Sequence, residues 1–118
     1  MKITFVTSEA IPYAKTGGLA DVAGTLPKYL KKLGVEVSSL LPLYKIIKDK
    51  KIPLLKISSS TLTLGDKKFV YSIYKNNDGA EFDTYFVEND KLFFRDELYN
   101  QNGVDFSDNY LRYAFFCL

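Results

Sequence analysis

Residues 2–7 alternate: Ile3 and Phe5 are apolar, Lys2 and Thr4 polar, and the run ends on Val6. A period of two over this length predicts a short strand, placed at the centre of a sheet by its apolar content. Pro12 and the pair Gly17-Gly18 punctuate residues 8–18, which read as a loop. Leu19, Val22, Ala23, Leu26, Leu30 and Leu33 then recur at spacings of three and four, the apolar stripe of an amphipathic helix. Lys28, Lys31 and Lys32 crowd its last turns, where cations complement the helix dipole, and Gly34 supplies a left-handed C-cap. Pro27 lies inside this helix; it lacks a backbone donor and predicts a bend or an irregular first segment. Val35 to Leu41 reads as a second strand closed by Pro42. Strand, loop, helix and strand in this order make a βαβ unit, with a right-handed crossover and a parallel pair.

Beyond residue 42 the pattern changes. The basic segment 43–51 is a short helix or a loop. Residues 53–64, 67–75 and 81–88 each have strand character: Phe69, Tyr71 and Ile73 share one face, and Phe82, Thr84 and Phe86 share another. Leu64-Gly65-Asp66-Lys67 and Asn76-Asn77-Asp78-Gly79 have the composition of hairpin turns. The expected architecture is therefore α/β, a βαβ start followed by an inserted β-meander. Residues 89–106 read as irregular. Ser107 or Asp108 then caps a last helix carrying Tyr110, Leu111, Ala114, Phe115 and Leu118. That helix runs out at Phe115-Phe116-Cys117-Leu118 with no Gly, Pro or basic cap. It reads as the truncated end of a fragment whose apolar terminus continues into a core; the alternative is a short docked terminal helix.

Composition narrows the chemistry. At 118 residues, 47% hydrophobic and 25% charged, the chain is one domain or a piece of a larger one. No apolar run approaches the roughly 18 residues of a membrane-spanning helix, and the first strand is too short for a secretory signal. Cys117 is the only cysteine and there is no histidine, so an internal disulfide, a CxxC metal site and any Ser-His-Asp or Cys-His nucleophile are excluded within these residues. A net charge of +2 argues against nucleic acid as the main partner. The charge is uneven: residues 1–58 carry 10 basic and 4 acidic side chains, residues 59–118 carry 6 and 10. Two solvated faces account for this, or an anionic ligand near the first half.

The chemistry concentrates in Lys15-Thr16-Gly17-Gly18-Leu19-Ala20-Asp21, between the first strand and the first helix. That is the carboxyl end of a strand, where open α/β sheets bind ligands. Paired glycines let the backbone come close, and a helix N-terminus presents free N–H groups and partial positive charge. With Lys15 they form an anion site suited to a diphosphate. Neither common phosphate fingerprint applies: Gly17, Gly18 and Gly24 miss the GxGxxG spacing, and Lys15 precedes the glycines where a P-loop lysine follows them. A plain Gly-Gly turn with a solvated Lys15 fits equally well. Asp21 complements the helix dipole in the first turn or bonds sugar hydroxyls. Glu9 ends the first strand near the same mouth and reads slightly better as a solvated carboxylate.

The segment Lys2-Ile3, Phe5 to Glu9, Pro12, Ala14 to Val22 and Leu26-Pro27 resembles the N-terminus of bacterial glycogen synthase and plant starch synthase. The resemblance continues at Leu41-Pro42, Tyr44, Asp108-Asn109 and Arg112; Leu43 departs from a position that is often basic in the family. It implies the Rossmann-like N-terminal domain of a GT-B glycosyltransferase, here residues 1–118, with the C-terminal nucleotide-binding domain absent. It also implies retaining transfer of glucose from ADP-glucose to the non-reducing end of an α-1,4-glucan such as glycogen, in the cytoplasm, with no metal or other cofactor and no membrane partner. By resemblance Lys15 contacts the nucleotide sugar, Gly17 and Gly18 offer donors near the distal phosphate, and Asp21 lies by the glucose or the acceptor. Glu9, Thr16 and Tyr99 form a second set of candidates. No catalytic residue is expected here, because the family's catalytic histidine and its C-terminal arginine, lysine and glutamate lie beyond residue 118. The competing reading is a non-catalytic module that binds a nucleotide sugar or a glucan, or self-associates through the apolar end Phe115 to Leu118. The meander aromatics read better as core than as a glucan platform.

Overall fold

The computed structural model describes residues 1–118. The expected βαβ unit is present: β1 (Lys2–Val6), α1 (Gly18–Lys32) and β2 (Glu36–Pro42), with β1 and β2 parallel from Lys2↔Glu36 to Val6↔Leu40. A short helix α2 (Lys45–Asp49) follows, resolving the basic segment, and then the meander β3 (Leu54–Leu64), β4 (Lys67–Asn76) and β5 (Asp83–Glu88). The meander is not a separate layer. β5 returns to pair with β2 in parallel, so one five-stranded sheet runs in the order β1-β2-β5-β4-β3. Among these residues β1 pairs with β2 alone, and β5 takes the other side of β2.

The two turns differ. Leu64 and Lys67 pair across Gly65-Asp66, with φ +64° at Gly65 alone, the pattern of a type II′ hairpin. The second connection, 77–82, is longer than the four-residue turn expected. Buried Asn76 organises it: its amide donates to the Tyr13 hydroxyl and the Phe82 carbonyl, and its Oδ1 accepts from the Thr84 N–H.

Helix α1 overturns the stripe read from the sequence. Leu19, Val22, Leu26 and Leu33 are exposed, as is Tyr29, and Leu30 is half-buried. The buried positions are Ala20, Ala23, Gly24 and Pro27, all small and at spacings of three and four; of the expected stripe only Ala23 is among them. The reason is distance. The backbone of α1 lies against the loop so closely that a Cβ on Gly24 would stand 2.3 Å from Cγ1 of Ile11 and 2.4 Å from its carbonyl oxygen. Leucines do not fit there and turn outward. Pro27 does not interrupt the helix. Gly34 ends it as expected, at φ +85°; its N–H donates to Lys31 O and that of Val35 to Leu30 O, a Schellman motif.

The remaining elements are α3 (Asp90–Phe93), capped by the side chain of Asn89, a two-stranded ribbon of β6 (Asn100–Gln101) and β7 (Val104–Asp105), and α4 (Asn109–Cys117). Asp108 stands at the N-cap of α4 without a capping bond; its carboxylate instead pairs with Arg95. The inward face of α4 is Leu111, Arg112, Phe115 and Phe116, whereas Tyr110, Ala114 and Leu118 face outward. Phe115 and Phe116 are therefore core, not the exposed contact surface expected of the chain's end. Phe115 packs on Phe69, Tyr71 and Phe93, over the sheet face that carries Leu40, Ile73 and Val87. The opposite face carries Phe86, whose ring meets Tyr13 of the loop edge-on. No helix is long and apolar enough to cross a membrane.

Candidate functional site

The segment after β1 is pinned before it reaches Lys15. The N–H groups of Tyr13 and Ala14 donate to the carbonyl of Ala10, and that of Ile11 donates to Ala20 O in α1. The Ile11–Pro12 peptide is cis. The Lys50 ammonium bonds the Pro12 and Tyr13 carbonyls, and Tyr13 itself is buried. Pro12 is exposed, and beyond the buried pair Tyr13-Ala14 the chain emerges again at Lys15 to Leu19.

Glu9 is not a solvated carboxylate. It is 2% exposed. Its Oε1 accepts from the Gly17 N–H at 3.2 Å and the Ala20 N–H at 3.3 Å. Its Oε2 accepts from the Thr16 N–H at 3.3 Å, the Thr16 hydroxyl at 2.5 Å and the Tyr99 hydroxyl at 3.0 Å. Burial alone would raise its pKa, but the donors of Thr16, Tyr99, Gly17 and Ala20 together hold it below the ordinary glutamate range. No basic side chain forms an ion pair with it; helix-terminal amides and hydroxyls do that work. Helix α1 has Gly17 at its N-cap with no side-chain cap of its own, so the capping acceptor comes from eight residues upstream; Glu9 does not end the first strand but stands in the loop, three residues past the end of β1.

This redistributes the donors. The N–H of Gly17 is committed to Glu9, while those of Gly18 and Leu19 have no acceptor within the chain. Beside them the Lys15 ammonium holds the Asp21 carboxylate at 2.8 and 2.9 Å, both side chains half exposed. The structure thus brings Lys15, Thr16, Gly17, Gly18, Asp21, Glu9 and Tyr99 into one cluster. A cavity of about 200 Å³ lies behind the loop, lined by Ile11, Tyr13, Gly24 and the 78–82 turn; it includes neither Lys15 nor Asp21. No group of three or more His, Cys, Asp or Glu side chains gathers to hold a metal ion.

Tyr99 reaches the cluster from far along the chain. Its hydroxyl also bonds Ser8 Oγ at 2.7 Å, and its carbonyl accepts from Asn109 Nδ2 and the Phe106 N–H. Burial, helped by the nearby Glu9 charge, pushes its pKa up to about 12, so it is a neutral donor. Behind it, Tyr44 donates to the Ser8 carbonyl at 2.7 Å and lies 3.0 Å from the Tyr113 hydroxyl; burial raises the pKa of both phenols. Arg112 is fully buried, its guanidinium bonded to the Leu92 and Leu98 carbonyls and Asn109 Oδ1, among the rings of Phe93, Phe106 and Tyr113. It fixes the turn that presents Tyr99. Ser8 and Tyr113 carried no signal in the sequence as members of this network, since their partners lie tens of residues away. Tyr44, Asn109 and Arg112 were visible only as positions of the family resemblance.

The sequence profile described as the starch synthase catalytic domain matches residues 2–118. The chain belongs to this family. Among starch synthase relatives, the glycogen synthase of Geotalea uraniireducens (strain Rf4) is 40% identical over 117 residues, which are 99% of this chain and 24% of that protein. Glycogen synthase 2 of Geobacter metallireducens is 43% identical, with the same coverage. The chain spans about a quarter of the length of the curated relatives it matches. The fold resembles the catalytic domain of starch synthase IV from Arabidopsis thaliana, solved with ADP and acarbose, at a TM-score of 0.79 and 24% identity, covering 96% of this chain and 23% of that one. The expected α/β fold, the Rossmann-like start of a GT-B starch synthase domain, is the fold observed.

Proposed function

We propose that residues 1–118 form the N-terminal part of an ADP-glucose-dependent glycogen or starch synthase, acting in the cytoplasm. The whole enzyme transfers glucose with retention to the non-reducing end of an α-1,4-glucan. In this reading Lys15 and the free N–H groups of Gly18 and Leu19 receive the diphosphate, with Gly17 held back by Glu9, and Asp21 receives hydroxyls of glucose or acceptor. The observation that carries it is the placement of an ammonium and two unused helix-terminal amides within one short segment at the carboxyl end of β1. Asp21 keeps the Lys15 side chain over that segment and yields it to a ligand phosphate.

Residues 1–118 alone are expected not to transfer glucose, because stabilising the developing charge and the departing diphosphate takes preorganised groups around the whole reacting centre. The curated relatives place about three quarters of their length outside the matched region. Isothermal calorimetry with ADP-glucose tests the binding role: Lys15→Ala is expected to weaken binding at least tenfold, equivalent to about 1.4 kcal/mol. Unchanged affinity would remove Lys15 from the site. Glucose incorporation into glycogen by the purified chain would refute the inactive-fragment expectation. A second reading, an interaction module, draws on the exposed row Leu19, Val22, Leu26, Tyr29 and Leu33 of α1. Light scattering decides whether copies associate through it.

A further inference from the structure

We propose that Glu9 is the positioning residue of the sugar-nucleotide loop: its carboxylate claims the Thr16, Gly17 and Ala20 amides, and so determines which donors of the turn face a ligand. The inference rests on the reading of Lys15 above. Three observations carry it. First, a glutamate 2% exposed with no cationic partner is a costly group to bury, yet this one has five donors converging on two oxygens. Second, an ordinary N-cap would come from residue 17, which is glycine. Supplying the acceptor from residue 9 instead ties the start of the loop, just after β1, to the first turn of α1. Lys15 lies inside the closed ring. Third, Oε2 also takes the Tyr99 hydroxyl, and the backbone of Tyr99 is fixed from α4 and the segment before it: its carbonyl accepts from Asn109 and Phe106, and Arg112 donates to the neighbouring Leu98 carbonyl. The loop is therefore set from two directions through one carboxylate.

The division between the two oxygens makes the idea testable with a variant that keeps the fold. In Glu9→Gln the amide oxygen still caps Gly17 and Ala20, and the hydroxyls of Thr16 and Tyr99 can rotate to accept from the new amide. The charge and the Thr16 N–H bond are lost. Amide proton exchange and ¹H–¹⁵N spectra of the chain, with ADP-glucose titrations, form the experiment. In Glu9→Gln the Thr16, Gly17 and Ala20 amides are all expected to shift, and that of Thr16, which loses its acceptor, to exchange about tenfold faster, while the β3–β4 hairpin keeps its spectrum. ADP-glucose affinity is expected to fall about tenfold, with a smaller fall in Tyr99→Phe, which changes no charge. If Glu9 acted only as a like charge beside the diphosphate, Glu9→Gln would bind ADP-glucose more tightly and Tyr99→Phe would bind it unchanged. Either that pattern, or unaltered exchange at Thr16, overturns the proposal. Absence of ADP-glucose binding by the unmodified chain would sink the sugar-nucleotide reading instead, and the exchange comparison would still decide what Glu9 does to the loop.

Discussion

Around Glu9, five polar donors surround one carboxylate, and the buried face of the adjoining α1 is Ala20, Ala23, Gly24 and Pro27; around Phe115, three aromatic rings meet and the groove beside them is lined only by apolar side chains. The β1–α1 side holds its geometry with directional bonds and a close backbone approach. The meander and α4 hold theirs with buried area. The contrast follows from the chemistry each can support. A loop that must offer an ammonium and bare N–H groups to a ligand has to stay near the surface, where hydrophobic burial is small, so its precision has to come from hydrogen bonds. The aromatic side has no such obligation and packs like an ordinary interior.

The largest expected effect separates the two regions directly. Phe115→Ala removes a ring packed on Phe69, Tyr71 and Phe93 and should cost about 3–5 kcal/mol in urea unfolding. The molecules that remain folded should keep the amide pattern of Thr16, Gly17 and Ala20. Loss of that pattern would mean that the regions are not independent. An intermediate effect is expected on the other side. In Gly24→Ala the new methyl meets the backbone of Ile11, not only a movable side-chain tip, so α1 must shift. Stability should fall by about 1–3 kcal/mol. ADP-glucose affinity should fall with it, unlike in Phe115→Ala; a neutral Gly24→Ala would show that the approach of helix and loop is not tight.

The smallest effect is one of pH. Glu9 has a pKa below its ordinary value in the folded chain, so its contribution is fully present above the unfolded value and is lost as pH falls through the folded one. Asp108, lowered chiefly by its bonds from Arg95, behaves in the same way. Stability measured from neutral pH into the acid range should therefore decline, and decline less in Glu9→Gln. Equal slopes for the two proteins would mean that Glu9 gains nothing from its donors.

Much of the secondary structure was legible, for local reasons. All five strands of the large sheet were expected, three of them from period-two patterning, Gly65 marked a hairpin that demands positive φ, and Gly34 marked the end of α1. The Lys15 to Asp21 segment was legible as well, because glycines, a cation and a helix start stand next to one another in sequence. The buried face of α1 was not. Leucines at helical spacing satisfy the rule for an inward stripe, but the rule assumes room for them, and the Gly24–Ile11 approach leaves none. The order of the sheet was not legible either, since the pairing of β2 with β5 depends on where β5 returns and not on local composition.

The chain's residues by themselves determined the order of elements, the α/β class, the lack of any histidine-based chemistry within these residues, and the loop where an anion would be received. Only the tertiary structure decided that Glu9 is buried and caps α1, that Asp21 holds Lys15, and that Tyr99 and Ser8, 91 residues apart, share a hydrogen bond. Hydrophobic period and turn chemistry act over a few residues, so a sequence displays them. A buried carboxylate finds its donors only after the sheet has brought distant segments together, and the burial that gives those bonds their strength does not exist until then.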